Sequence, residues 1–183
     1  MDTADLVKLT SRAWSLTILS LMQSGTPGRQ AALLAASGAS RTAFGTSLAH
    51  LIDIGMVVRN PGHGHPLRPE FQLTKRGTVA GKFANQIRQV GDARDSALLR
   101  RVWTLPILSS LSRPRYFNDI RRHLMTITDR ALSQSLTAMG RHQWVERSVD
   151  NSARPPRCLY RTIRIGSRFS SITAEALRSA PLP

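Results

Sequence analysis

The chain of 183 residues carries 26 Lys+Arg against 11 Asp+Glu, a formal net charge of +15, and is 41% hydrophobic. That apolar share excludes a disordered basic tail. The single cysteine excludes a disulfide scaffold or a four-thiolate zinc site, and no apolar run approaches the roughly 18 residues needed to span a bilayer.

Leu6, Leu9 and Ala13, followed by Leu16, Ile18, Leu19 and Met22, predict one helical stretch over roughly residues 4–22. Thr26-Pro27 reads as the start of a helix Gly28–Ser37 that ends at Gly38. Ser40 caps a third helix, with Phe44, Leu48, Leu51 and Ile52 on one face and Gly55 closing it. Met56–Val58 and Phe71–Thr74 read as strands around the turn-rich segment 60–66, and a helix over about 78–90 follows. Beyond it, helical stretches are expected at about 93–102, 104–111 and Phe117–Leu124. Thr128 caps a helix to about Arg141, Trp144–Ser148 and Leu159–Ile163 are strands, and residues 167–178 close the chain as a helix.

The two halves match. Trp14-Ser-Leu-Thr-Ile-Leu-Ser-Leu-Met22 lies over Trp103-Thr-Leu-Pro-Ile-Leu-Ser-Ser-Leu111 at an offset of 89, with five of nine positions identical. Ala43, Ser47, Leu48, Val57 and Arg59 then meet Ala131, Ser135, Leu136, Val145 and Arg147 at an offset of 88. Phe71, Lys75 and Gly77 meet Tyr160, Arg164 and Gly166 at 89 again. Helix, helix–turn–helix and hairpin, twice over, give the expected fold class: mainly α with small β-hairpins (α+β). The domains are tandem winged helix-turn-helix units, 1–91 and 92–183, forming a pseudo-dimer. A two-fold relation between copies sets their recognition helices about one DNA turn, roughly 34 Å, apart.

Trp103-Thr-Leu-Pro-Ile-Leu, Arg115-Tyr-Phe-Asn-Asp-Ile-Arg-Arg-His-Leu124, Leu132-Ser-Gln-Ser-Leu136 and Val145-Glu-Arg147 occur in the order of motifs of the HxlR-type winged-helix transcription regulators. The stretch 95–166 resembles that family, and residues 10–77 look like a weaker copy, similar to HxlR- and MarR-type regulators. The resemblance implies double-stranded DNA as partner, a role in repression, and pairing of domains. The family's oxidant sensing through a cysteine ahead of the tryptophan is not carried over, because neither copy has one.

At about 100° per residue, Leu132, Leu136 and Met139 face one way, while Arg130, Ser133, Gln134, Thr137 and Arg141 face the other. An inward apolar face with outward donors is what a helix lying in the major groove requires. Arg130 and Gln134 are candidates for bidentate contacts to guanine and adenine, and Thr128 at the helix start for a phosphate that Asp129 opposes. The first copy offers Arg41, Thr42, Gly45, Thr46, Ala49 and Asp53, without a long donor outside Arg41. It is therefore expected to position the protein while the second copy reads bases.

The loops 59–68 and 147–157 are the expected wings. Arg59, Arg68, Arg147, Arg154 and Arg157 are backbone or minor-groove candidates there, shaped by Pro61, Gly62, Pro155 and Pro156. Arg113, Arg115, Arg121 and Arg122 are further phosphate candidates. The acidic start Met1-Asp2-Thr3-Ala4-Asp5 argues against a leader peptide, so a cytoplasmic, nucleoid-associated protein without membrane association is expected. No cofactor is expected: His63-Gly-His65 lacks acid or thiol neighbours for a metal, and Cys158 reads as a half-buried structural thiol. No Gly-rich phosphate loop or nucleophile elbow points to an enzyme. Trp14 and Trp103 read as core. Helices 78–90 and 167–178, with Phe83, Ile87, Phe169, Ile172 and Leu177, suit packing of the copies or a homodimer, and no residue identifies an effector ligand. A sequence-blind architectural DNA binder and a winged-helix interaction scaffold are the rival readings.

Overall fold

The computed structural model describes residues 1–60, 70–152 and 154–179. Among the described residues two compact units divide the chain: Lys8–Gln89, and Met1–Val7 together with residues 90–179.

The stretch expected as one helix over 4–22 is two, α1 (Thr3–Thr10) and α2 (Ser15–Gln23). Two side chains compete for the end of α1: the Ser11 hydroxyl donates to the Lys8 carbonyl at 2.8 Å, and His50 Nε2 lies 2.8 Å from the same oxygen. Ala13, expected inward, is exposed in the resulting turn, and Trp14 is half-buried. The next helix, α3 (Gln30–Ser37), starts two residues later than expected and Thr26 does not cap it. Residues 28 and 29 are held out of the helix instead, Arg29 in the extended conformation, because Phe71 donates its N–H to the Gly28 carbonyl at 2.7 Å and Arg29 bridges Glu70. Gly38 closes α3 in the left-handed conformation, φ 69°.

Helix α4 (Arg41–Asp53) is capped as expected, Ser40 Oγ accepting from the Ala43 N–H at 3.3 Å. Phe44, Leu48 and Leu51 are buried, whereas Ile52, expected beside them, is exposed, lying about a hundred degrees round from Leu51. Strands β1 (Val57–Asn60) and β2 (Glu70–Leu73) pair antiparallel from Val57↔Leu73 to Asn60↔Glu70. Pro61, Gly62, His63, His65 and Arg68 lie outside the described residues. The last helix of the unit, α5 (Lys75–Val90), begins three residues before the expected 78, since Thr74 Oγ1 accepts from the Gly77 N–H at 2.9 Å.

In the other unit the expected helix over 93–102 shrinks to α6 (Ser96–Leu99), and α7 (Thr104–Ser110) follows with every residue buried. A short strand β3 (Arg115–Tyr116), which nothing in the local pattern announces, precedes α8 (Phe117–Leu124). Then come α9 (Asp129–Arg141), β4 (Val145–Asp150), β5 (Arg157–Thr162) and α10 (Arg164–Arg178). The strand order is β3-β5-β4, all antiparallel, with Tyr116↔Leu159 on one side of β5 and pairs from Val145↔Thr162 to Asp150↔Arg157 on the other. Both hairpin strands extend further towards the tip than expected. Trp103 is half-buried, while Trp144 is 1% exposed and stacks obliquely on Phe169, ring centroids 4.9 Å apart. Phe83, Ile87 and Phe169 are buried, leaving Ile172 and Leu177 half-buried on α10.

Two glycines lock a closing helix onto the backbone ahead of a hairpin. A Cβ on Gly77 would overlap the Met56 carbonyl oxygen, and one on Gly166 the Trp144 carbonyl oxygen. Neither obstacle is a flexible side chain, so Gly77→Ala and Gly166→Ala are each expected to destabilise their own unit by about 1–3 kcal/mol. Gly45, in the interior of α4, has nothing within 4 Å of its Cβ position. Gly45→Ala is expected to stabilise by about 0.5–1 kcal/mol through helix propensity. Urea unfolding of the three variants checks the signs; a neutral Gly166→Ala contradicts the contact.

Candidate nucleic-acid interface

The surface of α9 is set by its sequence and its cap. Thr128 Oγ1 accepts from the Ala131 N–H at 3.2 Å, fixing the start of the helix and its rotation against the sheet. Leu132, Ser135, Leu136 and Met139 are buried, so Arg130, Ser133, Gln134, Thr137 and Arg141 are left on the exposed side. Helix α8 precedes it through a tight turn in which Met125 adopts φ 51° and is 87% exposed. Across that turn Arg121 Nε lies 3.3 Å from Asp129 Oδ1. The carboxylate that opposes an anion at the start of α9 therefore has a local counter-ion.

The hairpin β4–β5 stands beside α9, and a groove of about 450 Å³ separates them, lined by Ser133, Thr137 and Gly140 on one wall and Arg147 and Tyr160 on the other. The hairpin is braced at both ends. The Tyr116 hydroxyl donates to Asp150 Oδ2 at 2.5 Å, and Asp150 Oδ1 accepts from the Ser152 N–H at 2.9 Å and its hydroxyl at 2.6 Å. The Arg157 guanidinium carbon sits 5.8 Å from the Tyr116 ring centroid. Arg161 Nε pairs across the strands with Glu146 Oε2 at 2.6 Å.

Asp150 raises the Tyr116 pKa above the ordinary 10, first by accepting its hydroxyl proton, with burial and the carboxylate charge adding in the same direction. Losing that proton would break the bond and leave two anions together. Asp150→Asn is expected to bring the Tyr116 ionisation back down towards 10, as read by ultraviolet difference titration of the protein's two tyrosines. An unchanged titration would remove Asp150 from the brace.

Of the residues singled out in the sequence for DNA contact, Arg68 lies outside the described residues. Arg41, Thr42, Thr46, Arg59, Thr128, Arg130, Ser133, Gln134, Thr137, Arg141, Arg154 and Arg157 are exposed. Arg115 is not: it is half-buried on β3 with its Nε shut away from solvent, because strand pairing to Tyr160 draws it against the sheet. Desolvation, and then the charge of Arg115, lower the pKa of His123. Among the further candidates, Arg121 and Arg122 are drawn into ion pairs with Asp129 and Asp119, and Arg147 donates to Cys158 Sγ at 2.7 Å. The Thr46 hydroxyl donates back to the Thr42 carbonyl at 2.9 Å, so its proton is used within α4.

Sequence reasoning missed Arg101 and His142, which share a second concavity with Ser133, Gln134, Thr137 and Arg141. Arg101 precedes α7 in a segment read as helical, and no local pattern ties it to α9. Among the described residues there is no cluster of three His, Cys, Asp or Glu suited to a metal ion, and no helix is long and apolar enough to cross a membrane.

No curated protein matches this chain. Among solved structures, the reduced form of the transcriptional regulator YodB from B. subtilis is similar at 24% identity and a TM-score of 0.39, covering 43% of this chain and 78% of that one. Residues 98–178 match the family of HxlR-like helix-turn-helix proteins, a span that takes in α7 to α10 whole and so contains both the helix–turn–helix and the hairpin beside it.

Proposed function

We propose that the protein is a sequence-specific double-stranded DNA-binding transcriptional regulator, a repressor, that reads bases through α9 and steadies itself on the flanking backbone through the β4–β5 wing. The observation that carries this reading is the two-faced α9: a buried row of Leu132, Leu136 and Met139 behind an exposed row of Arg130, Ser133, Gln134, Thr137 and Arg141, within a segment that matches the HxlR-like family. Arg130 and Gln134, one turn apart, take the base contacts. The wing brings Arg154 and Arg157 to the phosphates.

The chain is also read as two copies of one module. Each unit has the same order of helices followed by a hairpin and a closing helix. Residues with positive φ support this: Gly38 and Met125 each follow the first helix of a helix–turn–helix, and Gly55 and Gln143 each follow the second. Gly77 and Gly166 meet equivalent carbonyls, and Thr74 and Ile163 donate to the same two, Met56 and Trp144. In this reading α4, with Thr42, Gly45, Thr46, Ala49 and Asp53 outward, positions the first copy rather than reading bases. The half-buried Ile172 and Leu177 of α10 are the surface on which two chains would pair.

Selection of bound fragments from random duplex DNA at two salt concentrations tests the function. An enriched motif is the expected outcome. Equal retention of every duplex would make the protein an architectural binder, and no retention at either salt would make it an interaction scaffold.

A further inference from the structure

The second concavity, about 390 Å³, is walled by Ser133, Gln134, Thr137 and Arg141 of α9, by His142 just past its end, and by Arg101 from the turn ahead of α7. Its polar lining consists of two guanidiniums, an imidazole, two hydroxyls and a carboxamide, and no carboxylate lines it. Several neighbouring cations are engaged elsewhere: Arg121 with Asp129, Arg122 with Asp119 and Arg161 with Glu146 in ion pairs, and Arg147 with Cys158 in a hydrogen bond. Arg101 and Arg141 make no such ion pair among the described residues. Two uncompensated guanidiniums facing one hollow repel each other, and an oxyanion between them removes that cost while giving each a charge-assisted hydrogen bond.

We infer that this hollow is a phosphate seat: Arg101 and Arg141 clasp one phosphate oxyanion, with His142 as a third donor, and the occupant is a backbone phosphate of the duplex that α9 enters. The inference rests on the DNA-binding reading, since Gln134, Ser133 and Thr137 belong both to the seat wall and to the exposed face of α9. A strand lying along that face brings a phosphate to the far wall, where Arg101 waits. Arg101 thereby joins α7's approach to the recognition surface and fixes the rotation of α9 in the groove. A phosphate contact carries no base information, so its role is grip and register rather than discrimination. A free inorganic phosphate or phosphate monoester has the same chemistry and is the other source of an occupant.

The test uses the full chain, a duplex recovered by selection and a scrambled duplex, with Arg101→Ala against the unaltered protein and an exposed control outside the binding surface, Arg94→Ala. Arg101 is exposed, so the variant is expected to keep its thermal melt. Neutralising one phosphate contributes about 0.9 to the slope of log affinity against log salt. A fourfold rise in salt is therefore expected to weaken the unaltered protein about 3–4-fold more than Arg101→Ala, equally on both duplexes. An unchanged slope, or a loss confined to one sequence, overturns the seat while leaving the DNA reading in place. Failure of the unaltered protein to bind any duplex overturns that reading itself and the seat's assigned occupant with it. In a second arm, inorganic phosphate is titrated into the DNA-free protein while the His142 ring resonances are followed. Saturation below millimolar phosphate that is lost in Arg101→Ala, beside an unchanged DNA salt slope, overturns the strand phosphate in favour of a free anion.

Discussion

Arg130→Ala and Gln134→Ala each flatten base preference at one contacted base pair by about 1–3 kcal/mol, roughly a 5- to 150-fold loss of discrimination. Both side chains are exposed on α9 and make no core contact, so thermal stability is expected to stay within about 0.5 kcal/mol of the parent. The sensitive measurement is competition between the selected duplex and single-base variants of it, rather than affinity for one sequence. Affinity for unrelated DNA is expected to fall less for Gln134→Ala than for Arg130→Ala, because only arginine adds to the electrostatic attraction. Equal losses on every sequence would reassign Arg130 to the backbone. Larger specificity changes from Arg41→Ala or Thr46→Ala would move the reading to α4.

Trp144→Ala acts on the platform rather than the reader. The indole is 1% exposed, packs at 4.9 Å on a fully buried Phe169, and occupies the residue that joins the end of α9 to β4. Its backbone holds both neighbours as well: the Trp144 N–H donates to the Met139 carbonyl at 2.9 Å, and its carbonyl accepts from Ile163 at 2.8 Å. Those bonds survive truncation of the side chain, but the void beneath α9 and α10 does not refill from a rigid sheet. A cost of about 3–5 kcal/mol follows, a large share of the roughly 5–15 kcal/mol that stabilises a domain. Denaturant unfolding is expected to show an early transition for the carboxy-terminal unit, with the amino-terminal unit melting as before. DNA binding goes with the early transition, since α9 loses its seat. A shift under about 1 kcal/mol would mean that the indole is not the core of that unit.

The comparison of α4 and α9 shows what local patterns can and cannot convey. Both caps, Ser40 and Thr128, were legible because a cap bonds a backbone N–H three residues on. The outward row of α9 was legible too, because three apolar residues at helical spacing leave one arc of the helix for solvent. Ile52 marks the limit of the same logic: its apolar side chain reads as inward, but its angle on the helix puts it outside the buried arc. The half-burial of Arg115 is illegible for a different reason, since it depends on pairing with a strand some forty-five residues away.

Sequence alone determined the order of elements apart from the α1–α2 break and β3, the bounds of α8, the capped starts of α4 and α9, and the division of α9 into an oily and a hydrogen-bonding face. These follow from interactions spanning three or four residues, which composition and spacing record directly. Tertiary structure decided where α1 gives way to α2, because His50 and Ser11 share the Lys8 carbonyl there. It delayed α3 by claiming residues 28 and 29 for β2, and it added β3 beside β5. It also chose which arginines stay available: Arg121 is consumed by Asp129, while Arg101 arrives beside Arg141 without a carboxylate between them. Charge pairing depends on distances that the chain sets only once folded, and no periodicity in the sequence encodes them.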